Sequence, residues 1–108
     1  MLFMILANDA SDADALARRM AHRGEHIRVM DASRDAGLCR FGAAMLNDEG
    51  VMCGSAIILD MPDMQAVEEW MKAEPFVTQK VWGDVRVIPL KVGPSFEKEF
   101  GSKNQKAA

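Results

Sequence analysis

Two neighbouring apolar segments constrain the fold of this chain more than any other feature. Residues 38–46 and 51–60 are two strand candidates, the second of which is rich in Val and Ile. The four residues between them, 47–50, read Asn-Asp-Glu-Gly, a composition that is typical of a tight hairpin. Strands joined by so short a connection pair in antiparallel orientation. The chain is therefore predicted to contain an antiparallel sheet, to which its other elements must add.

Two further strands are predicted on either side of this hairpin. Residues 2–7 form an apolar run without alternation, which is typical of a strand buried on both faces. Near the end of the chain, residues 84–91 alternate apolar and polar side chains, and Pro89 favours an edge or terminal position. The first run is therefore predicted to be a central strand and the last an edge strand.

Two helices are predicted to connect these strands. The first begins after Ser11 or Asp12, either of which suits an N-cap, and ends near Ala36, before Gly37. Apolar residues recur along it at spacings of three and four, which predicts one buried face that includes an arginine. That face consists of Leu16, Met20, Arg23, Ile27 and Met30.

The second helix is predicted to begin at Asp63 and to end near Ala73, because Pro75 forces the preceding residue out of helical geometry. The resulting order of elements, βαββαβ, is the split βαβ pattern of an α+β ferredoxin-like domain with a four-stranded antiparallel sheet. Both helices then cover one face of the sheet. The other face carries apolar side chains and needs a second copy as its cover, so a homodimer is expected. The side chains expected on this open face are Phe3, Phe41, Met45 and Ile57.

The rest of the sequence sets limits on partners and location. A net charge of -3 gives no electrostatic reason to expect nucleic acid or an anionic membrane as a partner. The apolar start is too short for a signal peptide or a membrane span, so a cytoplasmic location is expected. Residues 1–92 are predicted to form the domain and residues 93–108 a tail. In that tail Phe96 and Phe100 suit one helical turn, and the part from Ser102 is expected to be disordered.

No cofactor or metal is implied by any motif. The chain has no Gly-rich phosphate loop, no nucleotide fingerprint and no cluster of His or Cys. Cys39 and Cys53 have no metal-ligand spacing, and in the predicted hairpin Cys39 faces a residue near Ile58. The two cysteines are therefore predicted to be free thiols.

Several short motifs, in order and at suitable spacing, resemble the YciI-like (YCII-related) family of small dimeric α/β-barrel proteins. The motifs are Arg23-Gly24-Glu25-His26-Ile27, Gly37, Phe41-Gly42-Ala43, Gly54-Ser55, Trp70 and Glu74-Pro75-Phe76. The resemblance implies a cleft in which His26 and Glu74 form an acid/base pair. It also implies chemistry on a small molecule, since elimination of HCl from chlorinated aromatic compounds is associated with the family. Glu74 stands where the family usually has Asp, and Phe76 where it usually has Tyr.

The other candidate site residues have two readings each. Arg23 lies on the predicted apolar face, where it either binds an anionic ligand or extends its stem over the core to pair with an acid. Gly54 and Ser55 either contact a ligand or mark a bulge or close packing. His26 lies about 80° from the centre of the apolar face, at its boundary.

Three functions remain open on the sequence alone. The first is a cofactor-free lyase or hydrolase that uses His26 as base, with Glu74 orienting it and Arg23, Gly54 and Ser55 holding the substrate. The second is a domain that binds a small metabolite without chemistry. The third is a dimeric accessory subunit of another enzyme. Measured turnover distinguishes the enzyme from the binding domain. A pull-down with tail-deleted protein tests the accessory subunit.

Overall fold

The computed structural model describes residues 1–104 as a four-stranded sheet with helices. The elements are β1 (Leu2–Asp9), α1 (Ala15–Asp35), β2 (Cys39–Leu46), β3 (Met52–Asp60), α2 (Met64–Lys72), α3 (Pro75–Thr78), β4 (Trp82–Leu90), a 3-10 turn (Pro94–Phe96) and α4 (Glu97–Phe100). The strand order is β2-β3-β1-β4 and every neighbouring pair is antiparallel. The predicted α+β, ferredoxin-like βαββαβ fold is confirmed.

The core lies between the helices and one face of the sheet. Phe3, Ile5 and Ala7 of β1 point into it, and across the register Ile5 faces Ile57 and Phe3 faces Leu59. The prediction that Phe3 and Ile57 lie on the open face is therefore wrong. An unbroken apolar run such as β1 gives no periodic signal that tells its two faces apart.

The open face carries the other set of side chains from the same strands. Phe41 of β2 pairs with Ile58 of β3, and Leu2 of β1 pairs with Leu90 of β4. Phe41 is 53% exposed. This half of the open-face prediction agrees with the structure.

Helix α1 buries a different face from the one that its apolar spacing predicts. Its buried residues are Ala15, Arg19 and Ser33, whereas Leu16 and Met20 are exposed. The predicted face is therefore wrong, apart from Met30, which packs against the core. The cause is that the buried face of α1 is polar, and hydrogen bonds replace apolar contacts there.

The second helical segment is divided by Pro75. Asp63 caps α2 by accepting a hydrogen bond from the Ala66 amide at 3.0 Å, as an N-cap residue does. The chain then turns at Glu74 into the short helix α3, which has Pro75 in its first turn. The short helix α3 is not predicted from the sequence. As its N-cap residue, Glu74 has its side chain held in place by this helix.

The tail returns to the body along the open face. Arg40 donates hydrogen bonds to the carbonyls of Glu99 and Gly101, and the buried Asp60 carboxylate accepts from Ser102 Oγ at 2.6 Å and from the Lys103 amide at 2.7 Å. Disorder was expected from Ser102 onward; residues 102–104 are instead held by hydrogen bonds, and residues 105–108 lie outside the described part of the chain. None of the helices within residues 1–104 combines the length and the apolar character needed to cross a membrane.

Candidate functional site

A cleft of about 220 Å³ lies between α1 and the strands β2 and β3. One wall is lined by small residues at 42–44, Gly-Ala-Ala, so the helix side chains opposite leave open space. A Cβ at Gly42 would lie 2.8 Å from the Met30 side chain, so a larger residue there would narrow the cleft. The lining residues are Arg19, Arg23, His26, Ile27, Met30, Asp31, Gly42, Ala43, Ala44, Ser55 and Ile57.

His26 and Glu74 form a direct pair at this cleft. His26 Nδ1 lies 2.5 Å from Glu74 Oε1, although 48 residues separate the two in sequence. The Glu74 side chain is fully buried and the His26 side chain is 14% exposed. A Glu at position 74 therefore reaches the imidazole within hydrogen-bond distance despite the longer side chain than the Asp that the resemblance implies.

The local fold explains why the Glu74 carboxylate points inward. Glu74 is the N-cap of α3, and its Oε1 also accepts a hydrogen bond from the Phe76 amide at 3.1 Å. Oε2 is buried and has no hydrogen-bond partner within residues 1–104. One carboxylate oxygen is thus fixed from two directions, while the other is left without a partner.

Aromatic packing fixes the plane of the His26 ring. The ring stacks on Phe76 with centroids 4.0 Å apart and planes 9° from parallel, and it meets Trp82 edge-on at 6.4 Å. Since Glu74 is a hydrogen-bond acceptor when ionised, Nδ1 carries the proton in this contact. Nε2, which makes no hydrogen bond within the described residues, is then the nitrogen available to accept a proton from a ligand.

Arg19 is the most extensively bonded side chain of the site. It is 2% exposed, and its Nε and Nη2 donate to the two carboxylate oxygens of Asp9 at 2.8 and 3.2 Å. Nη2 also donates to the Gly54 carbonyl and to Ser55 Oγ, each at 2.7 Å. The guanidinium lies 4.8 Å from the centre of the Phe76 ring. Burial of this charge is offset by the paired carboxylate and by charge-assisted hydrogen bonds.

Ser55 links Arg19 to the last strand. Its Oγ accepts hydrogen bonds from Arg19 Nη2 at 2.7 Å and from Trp82 Nε1 at 3.1 Å. Ser55 is 3% exposed and still lines the cleft. No basic side chain within residues 1–104 accepts its proton, so the geometry supports a ligand contact rather than a serine nucleophile.

The structure brings together four of the five residues that the sequence singles out. His26, Arg23 and Ser55 line the cleft, and Glu74 contacts His26 from beneath it. Gly54 is not a lining residue. A Cβ there would lie 2.4 Å from the Ala7 carbonyl oxygen, so close approach of two strands requires glycine at this position.

The two cysteines are free, as the sequence predicts. Cys39 is buried and faces Leu59 across the hairpin, one residue from the predicted position. Burial raises the pKa of the Cys39 thiol, and the nearby Glu74 carboxylate raises it further. Cys39 therefore stays protonated at neutral pH and is a poor nucleophile.

Three important residues were not found from the sequence: Asp9, Arg19 and Trp82. A signal for Arg19 does exist, because Arg19, His26 and Ser33 are spaced by seven residues and so lie on one helical face. Asp9 and Trp82 lie at the end of β1 and the start of β4, where only the sheet register brings them together. Within residues 1–104, no group of three or more His, Cys, Asp or Glu side chains is arranged to hold a metal ion.

The fold and this cleft define a class of protein: a small ferredoxin-like α+β domain with a His–carboxylate pair beneath a helix–strand cleft. The model of the YCII-related domain matches residues 1–91, and the chain therefore belongs to the YCII-related family. Protein YciI of Escherichia coli is 31% identical over 97 residues, which cover 84% of this chain and 97% of that protein. An uncharacterized protein of Haemophilus influenzae is 29% identical over the same shares of both chains.

Two solved structures share the fold at lower sequence identity. The dehydrochlorinase TftG of Burkholderia phenoliruptrix, which acts on 5-chloro-2-hydroxyhydroquinone and was solved with 2,5-dihydroxybenzoquinone, superposes with a TM-score of 0.77 at 21% identity. The match covers 88% of this chain and 98% of TftG. An antibiotic biosynthesis monooxygenase superposes with a TM-score of 0.53 at 18% identity, over 87% of this chain and all of that one. At these identities the likeness concerns the fold.

Proposed function

We propose that the protein is a cofactor-free enzyme of the lyase or hydrolase type that acts on a small molecule in the α1–β2–β3 cleft. The observation that carries this proposal is the buried His26–Glu74 pair, 2.5 Å apart, at the edge of the cleft. A buried carboxylate on one imidazole nitrogen fixes the tautomer and stabilises the charged ring after it accepts a proton. This is the arrangement of a general base.

The reaction class is proton abstraction from a substrate that carries a leaving group. His26 Nε2 takes the proton, and the electron pair left on the substrate forms a double bond as the leaving group departs with its own electrons. With chloride as leaving group the net change is loss of HCl. The imidazolium then returns its proton to water. The dehydrochlorinase activity of TftG motivates this choice of first substrate to test.

Turnover of 5-chloro-2-hydroxyhydroquinone, followed by chloride release, tests the proposal. We expect His26→Gln to lower kcat by about 100-fold or more, the usual contribution of a general base. Glu74→Gln keeps the side-chain shape and removes the charge, so we expect a smaller loss of about tenfold or more. The matched control is His22→Gln, since His22 lies on the same helix and does not line the cleft.

Two results would contradict the enzyme proposal. The first is chloride release that His26→Gln leaves unchanged. The second is saturable ligand binding without turnover across halogenated and other eliminating substrates, with binding retained in His26→Gln. That second result would identify the protein as a non-catalytic metabolite-binding domain.

We propose in addition that the protein is a homodimer through the open face of the sheet. Leu2, Phe41, Ile58 and Leu90 line an apolar cavity of about 390 Å³ on this face, and Phe96 of the tail borders it. Phe41 and Phe96 are each more than half exposed at this cavity, and exposed aromatic side chains beside an apolar cavity are typical of an interface. A second copy that covers the face also holds the two clefts on opposite outer sides of the dimer, because α1 lies on the other face.

A further inference from the structure

We infer that the cleft selects small planar substrates that carry a negatively charged oxygen, and that Arg19 and Arg23 bind this oxygen. The inference rests on the proposed function in one respect: it names the substrate class of the same cleft. It is carried by two observations: one guanidinium nitrogen of Arg19 makes no hydrogen bond and Arg23 has no ion-pair partner within residues 1–104, and the cleft that both residues line is small.

Arg19 has one unused donor group. Its Nε and Nη2 make all four of its hydrogen bonds, to Asp9, Gly54 and Ser55, and Nη1 makes none within residues 1–104. The residue is 2% exposed and lines the cleft. A guanidinium held so firmly along one edge cannot turn its free nitrogen toward bulk water, so Nη1 is a fixed donor for a ligand.

Arg23 supplies a charge that no acid neutralises. It lines the cleft one turn along α1 from Arg19, and it forms no ion pair with any side chain in the described part of the chain. Asp31 is the acidic residue that lines the cleft, but its carboxylate pairs with Arg34 at 3.4 Å. The Arg19 charge is matched by Asp9, so Arg23 is the cation of the cleft lining that has no ion-pair partner within residues 1–104.

The dimensions of the cleft favour a ligand of about one ring. A space of about 220 Å³ is smaller than the usual drug-sized pocket of about 300–1,000 Å³. Ile27, Met30 and Ile57 supply apolar contact surface for such a ring. His26 and Ser55 lie in the same lining, so a ring with a charged oxygen on the arginines also reaches the base.

This placement has a chemical consequence for the proposed reaction. Loss of a proton next to a carbonyl moves negative charge onto the carbonyl oxygen, and a fixed guanidinium nitrogen stabilises that charge. Carboxylates, acidic enols and acidic phenols share the oxygen that Arg19 Nη1 and Arg23 would bind. The inference therefore covers planar oxyanions and excludes their neutral amide or ether analogues.

Binding of benzoate and of benzamide, two rings of nearly equal size that differ in charge, tests the inference by calorimetry on the full chain. We expect benzoate to bind at least about tenfold more tightly than benzamide, as charged hydrogen bonds of this kind imply. We expect Arg23→Gln to weaken benzoate about fivefold or more and to leave benzamide unchanged. Arg28→Gln, an exposed change of equal charge on the same helix outside the cleft lining, should leave both ligands unchanged.

Arg19→Lys provides a second variant, because it keeps the charge beside Asp9 and removes the forked donor. We expect it to fold and to bind benzoate more weakly than wild type. Equal affinity for benzoate and benzamide, or equal weakening by Arg23→Gln and Arg28→Gln, would overturn the inference.

Different results would contradict the oxyanion site and the proposed enzyme activity. Benzoate selectivity without turnover of any substrate would leave the oxyanion site standing and remove the enzyme. His26-dependent turnover that runs equally well on neutral substrates would keep the enzyme and remove the oxyanion site.

Discussion

The two faces of the sheet depart from the usual distribution of side chains in opposite ways, each at a few positions. The face that the helices cover buries Arg19, Glu74 and most of His26, whereas the open face exposes Phe41 and carries Leu2 and Ile58. Buried charge and exposed aromatic surface are the informative departures from the general rule. Hydrogen bonds compensate for the buried charge, and the proposed homodimer interface would cover the exposed aromatic surface.

The covered face and the open face of the sheet therefore differ in what holds their side chains in place. On the covered face, polar groups are fixed by each other, so their geometry is set within one chain. On the open face, Phe41 is 53% exposed in the single chain whereas Leu2 is only 4% exposed, so the proposed second copy would cover the apolar surface that remains at Phe41. Substitutions on the first face should therefore change folding stability, and substitutions on the second should change association.

Among these substitutions, Arg19→Met is expected to cause the largest loss in the free energy of unfolding. This change leaves the Asp9 carboxylate, which is 8% exposed, without its cationic partner. We expect a loss of about 3–5 kcal/mol in the free energy of unfolding, measured by urea denaturation. The matched control, Arg34→Met on the same helix, affects a side chain that is 66% exposed and should change stability by less than about 0.5 kcal/mol. Similar losses in the two variants would contradict the difference between buried and surface pairs.

A smaller loss is expected for Ser55→Ala. Its Oγ accepts hydrogen bonds from Arg19 and Trp82, and both buried donors lose this acceptor. We expect about 1–3 kcal/mol less stability in the same denaturation experiment. A double variant with Arg19→Met should lose less than the sum of the two changes, because they remove one shared interaction. Strict additivity would show that Ser55 acts independently of Arg19.

Phe41→Asp is expected to change association rather than stability. Phe41 is exposed in the single chain, so its replacement removes few contacts within the fold. A charge at this position of the open face should weaken the homodimer about tenfold or more in sedimentation equilibrium, with unchanged circular dichroism. Leu46→Asp, another exposed apolar residue of β2, is the comparison outside the cavity lining. An undiminished dimer of Phe41→Asp would assign the interface to another surface.

The smallest effect is expected at the tail. Burial raises the pKa of the Asp60 carboxyl, but hydrogen bonds from Ser102 and from the amides of residues 103–104 outweigh it, so the pKa lies below its ordinary value. A lowered pKa adds stability that is complete above the pKa of the unfolded chain and is lost as the pH falls through the folded value.

Asp60→Asn should therefore cost about 1 kcal/mol at neutral pH. The difference from wild type should shrink as the pH falls below about 4, where Asp60 begins to protonate in the unfolded chain. Hydrogen exchange of the Lys103 amide measures release of the tail directly. Asp48→Asn, an exposed change in the hairpin loop, is the control. A difference that is constant from pH 7 to about pH 2 would show that the Asp60 charge does not hold the tail.

The sequence predicts the order of the elements but not the faces of all of them. Asp63 and Pro75 mark the limits of α2, and the hairpin composition marks the pairing of β2 with β3. The predicted N-cap of α1 at Ser11 or Asp12 is wrong, because the helix begins at Ala15 with Asp14 as its N-cap, whose side chain makes no capping hydrogen bond within residues 1–104. The face of α1 was mispredicted because periodicity counts apolar residues, whereas this helix buries Arg19 and Ser33. The faces of β1 were unresolved because its apolar run does not alternate.

The candidate site was partly predictable for a related reason. His26 and Glu74 were named from their place in short motifs, and the structure shows them in contact. Arg19, Asp9 and Trp82 belong to no such motif. Arg19 donates hydrogen bonds to Asp9, 10 positions away, and to Ser55, 36 positions away, and Trp82 donates to the same Ser55 hydroxyl. Contacts of this kind follow from the sheet register, which local patterns do not specify.

The position of the proton on the His26 ring decides whether this residue can act as the proposed general base. Long-range ¹H–¹⁵N NMR of the imidazoles, recorded across a pH titration, assigns the proton to Nδ1 or Nε2, and His22 in the same chain serves as a reference. We expect the neutral His26 ring to carry its proton on Nδ1, toward Glu74, and to leave Nε2 unprotonated. A neutral His26 with its proton on Nε2 would rule out the proposed general base, because the nitrogen in the cleft would then be unable to accept a proton.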